Sequence, residues 1–158
     1  MGNHERLARE FFHQGYNCSQ AVFLAFCQDT GIDQETAARI ASSFGGGLGR
    51  LREVCGALSG GCMVLGMLYG GFSPEDTAAK GEHYRRIQSY AEAFRRENGA
   101  IVCRDLLHLS EDTPLSPIPD ARTQAYYKKR PCEEMVACAA RLLEEMIPSF
   151  QHESQNHP

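Results

Sequence analysis

Residues 44–72, FGGGLGRLREVCGALSGGCMVLGMLYGGF, decide how the rest of the chain is organised. The stretch opens with three glycines at 45–47 and carries no charged residue from 54 to 72. Glycine in a helix interior costs about 1 kcal/mol relative to alanine, so repeated glycines there need a structural reason. We favour close approach: a buried helix offers a face of small residues to a neighbouring helix or a reactive group. The residues of that face are Gly56, Ala57, Gly60, Gly61 and Gly66.

Length and charge place the chain in a broad class. The 158 residues predict one domain at 1–150, followed by a polar tail at 151–158 that we expect to be disordered. The net charge of −4 gives no reason to expect nucleic acid as a partner. Neither a secretory signal nor a membrane span is predicted, because the start lacks an apolar segment and residues 54–72 are glycine-rich. We therefore expect a cytoplasmic protein, in which cysteines are mostly metal ligands, redox groups or small core residues.

The apolar spacing predicts helices, and no stretch alternates with the period of a strand over five residues. The predicted fold class is all-α, a single-domain bundle of six to seven helices around the glycine-rich central helix. The long helix after the centre is expected to turn Tyr84, Ile87, Ala91 and Phe94 inward. Caps and stops predict three helices before the centre: Asn3 to His13, Cys18 to about Asp29 after the cap Asn17, and one after Asp33 that includes Ala37, Ile40, Ala41 and Phe44. The central helix begins at about Cys55, and the next helix is capped by Ser73 and ends near Asn98. Two more helices are predicted at about 102–109 and 132–147, with a surface loop at 110–124.

The seven cysteines divide by their predicted place in these helices. Four lie within the first turn of a helix, where unpaired N–H groups and the helix dipole stabilise a thiolate and lower the thiol pKa. These four are Cys18, Cys55, Cys103 and Cys132. The other three, Cys27, Cys62 and Cys138, lie mid-helix among apolar residues and are expected to be core residues.

The glycine run carries a second, weaker signal. The backbone N–H groups of Gly46, Gly47 and Gly49, together with the Arg50 side chain, form a candidate cofactor-binding or anion site. No strand precedes the run and no Lys-Ser or Lys-Thr pair follows it, so a flexible hinge beside Cys55 is the favoured interpretation. There is also no C-x-x-C pair, which excludes a thioredoxin-type dithiol and a ferredoxin-type cysteine run.

Several of these segments resemble one protein family. GYNCSQAV at 15–22, CGALSG at 55–60, Cys103, and Cys132 with its apolar helix are similar in order and type to the C_GCAxxG_C_C family of redox-active proteins. The resemblance spans about residues 5–147 and implies a small prokaryotic helical protein with a redox role. It selects the same four cysteines that helix position selects. The chain departs from the family pattern by its three additional cysteines.

Two versions of a redox site follow from these residues. In one, Cys18, Cys55, Cys103 and Cys132 are metal ligands that hold an iron–sulfur cluster or zinc. In the other, two of them alternate between dithiol and disulfide, with Cys55 as the low-pKa attacking thiol. Either version implies a redox partner protein, whose identity the sequence does not give.

A hypothesis of a different class treats the chain as a binding or assembly module. The small face of the central helix then serves as the contact of a homodimer, and the cysteines are core residues.

Overall fold

The structure, a computed structural model, describes residues 1–148 and is all-α within them, which confirms the predicted class. The tail predicted at 151–158 lies outside the described residues. Ten helical segments follow one another there, and a 3-10 turn at Ser42–Phe44 precedes α5. They are α1 (Asn3–His13), α2 (Cys18–Ala25), α3 (Cys27–Thr30), α4 (Gln34–Ala41), α5 (Gly45–Leu48), α6 (Gly56–Tyr69), α7 (Thr77–Asn98), α8 (Cys103–Leu106), α9 (Gln124–Lys129) and α10 (Cys132–Met146).

The predicted caps are correct where a polar side chain faces the first turn. Asn17 and Gln20 form a reciprocal capping box at the start of α2, and Asp33 accepts from the Thr36 N–H at the start of α4. Asn3 is not a cap but the first residue of α1. The helix predicted from Cys18 to Asp29 breaks at Phe26, so Cys27 begins the short α3.

The start of α7 was predicted too early. Asp76 caps the helix by accepting from the Ala79 N–H, so residues 73–75 form the turn before it. Tyr84 was expected inside and is 59% exposed, whereas Tyr90 and Phe94 are fully buried. Tyr90 supplies the reason, because its hydroxyl donates to the Ala139 carbonyl of α10 and fixes which face of α7 points inward.

Two further sequence predictions need correction. Ile40 of α4 is 48% exposed, because only Ala37 and Ala41 of that helix reach the core. The loop predicted at 110–124 ends in a helix that the sequence did not indicate, α9, which Thr123 caps through the Tyr126 N–H.

The glycines of α6 allow the close approach that was predicted for them. A side chain at Gly60 would meet the Ser19 backbone of α2, and one at Gly61 would meet Tyr90 of α7. A Cβ at Gly56 would lie 2.8 Å from the Phe44 carbonyl oxygen. Three of the five residues of the small face, Gly56, Gly60 and Gly61, are therefore packed against other parts of the chain.

Among residues 1–148, no helix is both long enough and apolar enough to cross a membrane.

Candidate functional site

The four cysteines selected from the sequence line one cavity of about 280 Å³. Cys18, Cys103 and Cys132 are the first residues of α2, α8 and α10, and Cys55 is the N-cap of α6. Four segments that are remote in the chain thus bring a sulfur to the same place. The remaining cysteines, Cys27, Cys62 and Cys138, are not among the residues that line this cavity.

A short antiparallel pairing fixes the positions of Cys55 and Cys103. Val54 and Val102 form an isolated β-bridge just before α6 and α8. On its two sides the Cys55 N–H donates to the Ile101 carbonyl at 2.8 Å, and the Cys103 N–H donates to the Glu53 carbonyl at 2.6 Å. Because both cysteines are hydrogen-bonded through their own backbones, neither moves without breaking the bridge.

Cys18 and Cys132 influence each other's ionisation. For each of the two thiols the side chain of the other is the largest influence on the pKa. Cys18 lowers the pKa of Cys132 to about 7, with help from the charges of Arg130, Arg52 and Arg122. The influence of Cys132, together with burial, raises the pKa of Cys18 well above its ordinary value. Of the two groups, Cys132 is therefore the one that ionises first as the pH rises.

The predicted thiolate at Cys55 is not found. Burial raises the pKa of Cys55 to about 12, although the N–H groups of Ala57 and Leu58 act in the opposite direction. Burial also raises the pKa of Cys103, against the lowering effect of Arg52. A helix start stabilises a thiolate only where the sulfur is not too strongly desolvated, and here desolvation dominates.

Arginines surround the sulfurs, and the sequence analysis did not identify three of the four that line the cavity. Arg52 is 7% exposed, and its Nη1 lies 3.6 Å from the Cys103 sulfur. Arg122 donates to the carbonyls of Phe12 and Tyr16. Arg130 is paired with Asp120. The sequence around an arginine in a polar segment does not indicate which other residues its guanidinium group will contact. The positions of Arg52, Arg122 and Arg130 at the cavity could therefore be seen only in the fold.

The candidate anion site of Gly46, Gly47, Gly49 and Arg50 also lines the cavity. Positive φ angles run unbroken through residues 46–50 and recur at Arg52, which has a φ of 63°. Gly47 leaves no room for a side chain, because a Cβ there would lie 2.8 Å from Cys103 Cβ and from the Glu53 backbone. Left-handed conformation in arginine is strained, and such strain is concentrated at functional sites. The turn at residues 46–52 therefore forms part of the cavity wall, in a conformation fixed by these positive φ angles.

Within residues 1–148, no group of three or more His, Cys, Asp or Glu side chains is placed so that it could hold a metal ion. All seven cysteines are free thiols. The four cysteines that line the cavity are therefore not arranged as a set of metal ligands within the described residues.

A comparison with protein families found one match that covers most of the chain. A family model described as "Putative redox-active protein (C_GCAxxG_C_C)" matches residues 16–146. Comparisons with curated proteins and with solved structures found no match.

Proposed function

The chain belongs to the C_GCAxxG_C_C family, and we propose that it is a thiol–disulfide redox protein whose couple is Cys18 and Cys132. The observation that carries the proposal is that Cys18 and Cys132, the first residues of α2 and α10, line one cavity. A disulfide requires two sulfurs within bonding reach of each other. Of the four cysteines in the cavity, these two are the pair in which each side chain is the largest influence on the pKa of the other.

The reaction is thiol–disulfide exchange in two steps. The Cys132 thiolate attacks one sulfur of a substrate disulfide, forms a mixed disulfide and releases the other substrate sulfur as a thiolate. Cys18 then loses its proton to that thiolate and attacks Cys132 Sγ. The Cys18–Cys132 disulfide forms, and the second half of the substrate leaves as a thiolate. Two electrons have passed from the protein to the substrate, and a dithiol or a redox partner protein returns them in the reverse reaction.

The arginines contribute by stabilising the attacking form of Cys132. The charges of Arg130, Arg52 and Arg122 all lower its pKa. Cys132 therefore ionises near neutral pH while Cys18 keeps its proton, because the influence of Cys132 and burial keep the pKa of Cys18 high.

Cys55 and Cys103 are proposed as further redox thiols of the cavity. Their raised pKa values suit groups that remain protonated until the first pair is oxidised. The bridge between Val54 and Val102 keeps them at the wall while Cys18 and Cys132 react.

The metal version of the site has less support. Four sulfurs suffice for a cluster or zinc, but no three potential ligands are placed for a metal ion within the described residues. Metal analysis after anaerobic purification tests this version, and stoichiometric iron or zinc bound through the four cysteines would overturn the thiol proposal.

The experiment that tests the proposal equilibrates the reduced protein with a thiol–disulfide buffer and counts the remaining thiols. We expect the first step to be a two-electron step in which the count falls from seven by two. Cys18→Ser and Cys132→Ser should each abolish the step. Cys27→Ser is the matched control, because Cys27 lies outside the cavity, and it should leave the step intact. A step that survives in Cys132→Ser would contradict the proposal.

A further inference from the structure

We infer that the substrate of this cavity is a small disulfide that carries an anionic group, and that the anion binds to Arg52. This inference rests on the proposed function and adds the substrate class. It is argued from the charge of the cavity wall, from the burial of Arg52 and from the size of the cavity.

The wall of the cavity has an excess of positive charge. Among the described residues that line it are four arginines, Arg50, Arg52, Arg122 and Arg130, and one carboxylate, Asp120. Asp120 is shared between Arg130 and, at 3.7 Å, Arg50. One carboxylate is therefore the counter-charge of two guanidinium groups, which leaves the wall positively charged. Such an enclosed positive wall concentrates anions and repels cations.

Arg52 is a buried cation of this wall whose charge acts on the Cys132 sulfur but which has no carboxylate partner among the described residues. It is 7% exposed, and its hydrogen bond within the described residues goes to the Cys103 sulfur, whose pKa is raised so that the thiol is neutral. No carboxylate of residues 1–148 forms an ion pair with it. A buried charge is costly unless it is paired, and a cavity that opens beside it offers the place for a partner. A bound carboxylate or phosphate would provide that pair.

Arg52 is also held rigidly in this position. Its N–H donates to the Gly46 carbonyl at 3.1 Å, and its carbonyl accepts from the Arg104 N–H at 3.1 Å. The backbone φ of 63° is strained for arginine, yet both hydrogen bonds keep it.

The size of the cavity favours a small molecule over a folded protein. Its volume is about 280 Å³, and Cys55 and Cys103 at its wall are both buried. That volume is close to the lower end of small-molecule pockets, at about 300 Å³. A disulfide within a folded partner would have to bring its own backbone into this space. A compact disulfide with one or two acidic groups fits the available volume.

The test measures how fast the reduced protein is oxidised by three disulfides of similar size. These are 3,3′-dithiodipropionate, which is a dianion, bis(2-hydroxyethyl) disulfide, which is neutral, and cystamine, which is a dication. Each rate is divided by the rate with free 2-mercaptoethanol, so that intrinsic differences in disulfide reactivity cancel. We expect the dianion to exceed the neutral disulfide by about tenfold or more, with the dication slowest.

Variants of Arg52 then locate the effect. Arg52→Gln should bring the normalised rates of the dianion and the neutral disulfide together, and Arg52→Lys should restore the preference. Arg39→Gln is the matched control, because Arg39 is an exposed arginine of α4 outside the cavity. Equal normalised rates for all three disulfides with the wild-type protein would overturn the inference. So would an unchanged preference in Arg52→Gln.

A binding measurement covers the case in which Arg52→Gln does not fold. The unreactive thioether 3,3′-thiodipropionate should raise the melting temperature of the reduced wild-type protein, and neutral 2,2′-thiodiethanol should not. Equal shifts from both compounds, or none from either, would contradict an anion site.

The two proposals fail in different ways. If no disulfide forms between Cys18 and Cys132 with any of the three oxidants, the proposed function fails. If that disulfide forms at normalised rates that do not depend on charge, the substrate class alone fails.

Discussion

At the scale of single residues, the chemistry is divided unequally among cysteines that look alike in sequence. All four lie at a helix start, yet burial and neighbouring charges give them different protonation states. The pKa of Cys132 falls to about 7 and that of Cys55 rises to about 12. Contacts across the fold, rather than the local helix, therefore select the nucleophile.

The first prediction concerns the influence of Cys18 on the pKa of Cys132. Cys18→Ala removes the largest influence that lowers the pKa of Cys132, so that pKa should rise above its wild-type value of about 7. The measurement is the pH dependence of Cys132 alkylation by iodoacetamide, followed by mass spectrometry of its peptide. The midpoint should move to higher pH in Cys18→Ala and stay in place in Cys27→Ala. An unchanged midpoint in Cys18→Ala would show that Cys18 does not control the thiolate.

At the scale of helices, α6 owes its position to two glycines that face different neighbours. Gly60 lies against the Ser19 backbone of α2, and Gly61 lies against Tyr90 of α7. Because the N-terminus of α6 carries Cys55, the depth to which this helix packs also sets the position of that thiol.

The second prediction compares two glycines of this one helix. Gly60→Ala would place a Cβ 2.5 Å from the Ser19 carbonyl oxygen, which is backbone and cannot turn aside. We expect a loss of about 1–3 kcal/mol in the free energy of unfolding. At Gly66, among the described residues and apart from the adjoining backbone of α6 itself, no atom lies within 4 Å of the position that a Cβ would take, so Gly66→Ala should gain up to about 1 kcal/mol from helix propensity. Urea unfolding of both variants is the measurement, and equal effects of the two substitutions would argue against close packing of α2 and α6.

His4 links α1 to α3 and α10 through its side chain. The His4 ring contacts Asp29 Oδ2 of α3 at 2.7 Å and Glu144 Oε1 of α10 at 2.8 Å, and it stacks on Phe26. Burial lowers the pKa of His4, but the hydrogen bonds and charges of Glu144 and Asp29 outweigh burial, so the pKa lies above its ordinary value of 6.5.

The third prediction follows from the sign of that shift. A group whose pKa is raised by folding stabilises the folded state fully below its unfolded pKa of about 6.5 and loses this contribution as pH rises through the folded pKa. His4→Gln should therefore cost about 1.5–3 kcal/mol at pH 5.5, the range for hydrogen bonds to charged groups, and less at pH 8.5. Urea unfolding at both pH values checks this, with His108→Gln as the exposed control. A cost that grows with pH would contradict the assigned sign.

At the scale of the whole molecule, local patterns of spacing and capping predicted the fold class, whereas the meeting of the four cysteines was expected from their shared place at helix starts and from the family resemblance. Caps such as Asn17 and Asp33 and the small residues of α6 act over a few positions. What the sequence could not predict depends on contacts between remote segments. The burial that raises the pKa of Cys55 and the arrival of Arg130 beside Cys132 are both of this kind.

The same distinction explains the errors in the helices. Ser73 and Pro74 form a good local start signal, but the side chain of Asp76 makes the cap that the structure contains. Tyr84 matches the apolar period of α7, yet the hydrogen bond of Tyr90 to Ala139 sets the buried face. Local propensity indicates where a helix can form, whereas tertiary contacts determine where it begins and ends and which of its faces is buried.

The central claim is that folding makes Cys18 and Cys132 a redox couple, and peptide mapping of the oxidised protein tests it most directly. The reduced protein is oxidised by one equivalent of a small disulfide, free thiols are blocked with iodoacetamide, and the cross-linked peptides are identified by mass spectrometry. The account predicts one intramolecular bond, between Cys18 and Cys132. A bond between Cys55 and Cys103, or between two chains, with Cys18 and Cys132 both alkylated, would contradict it.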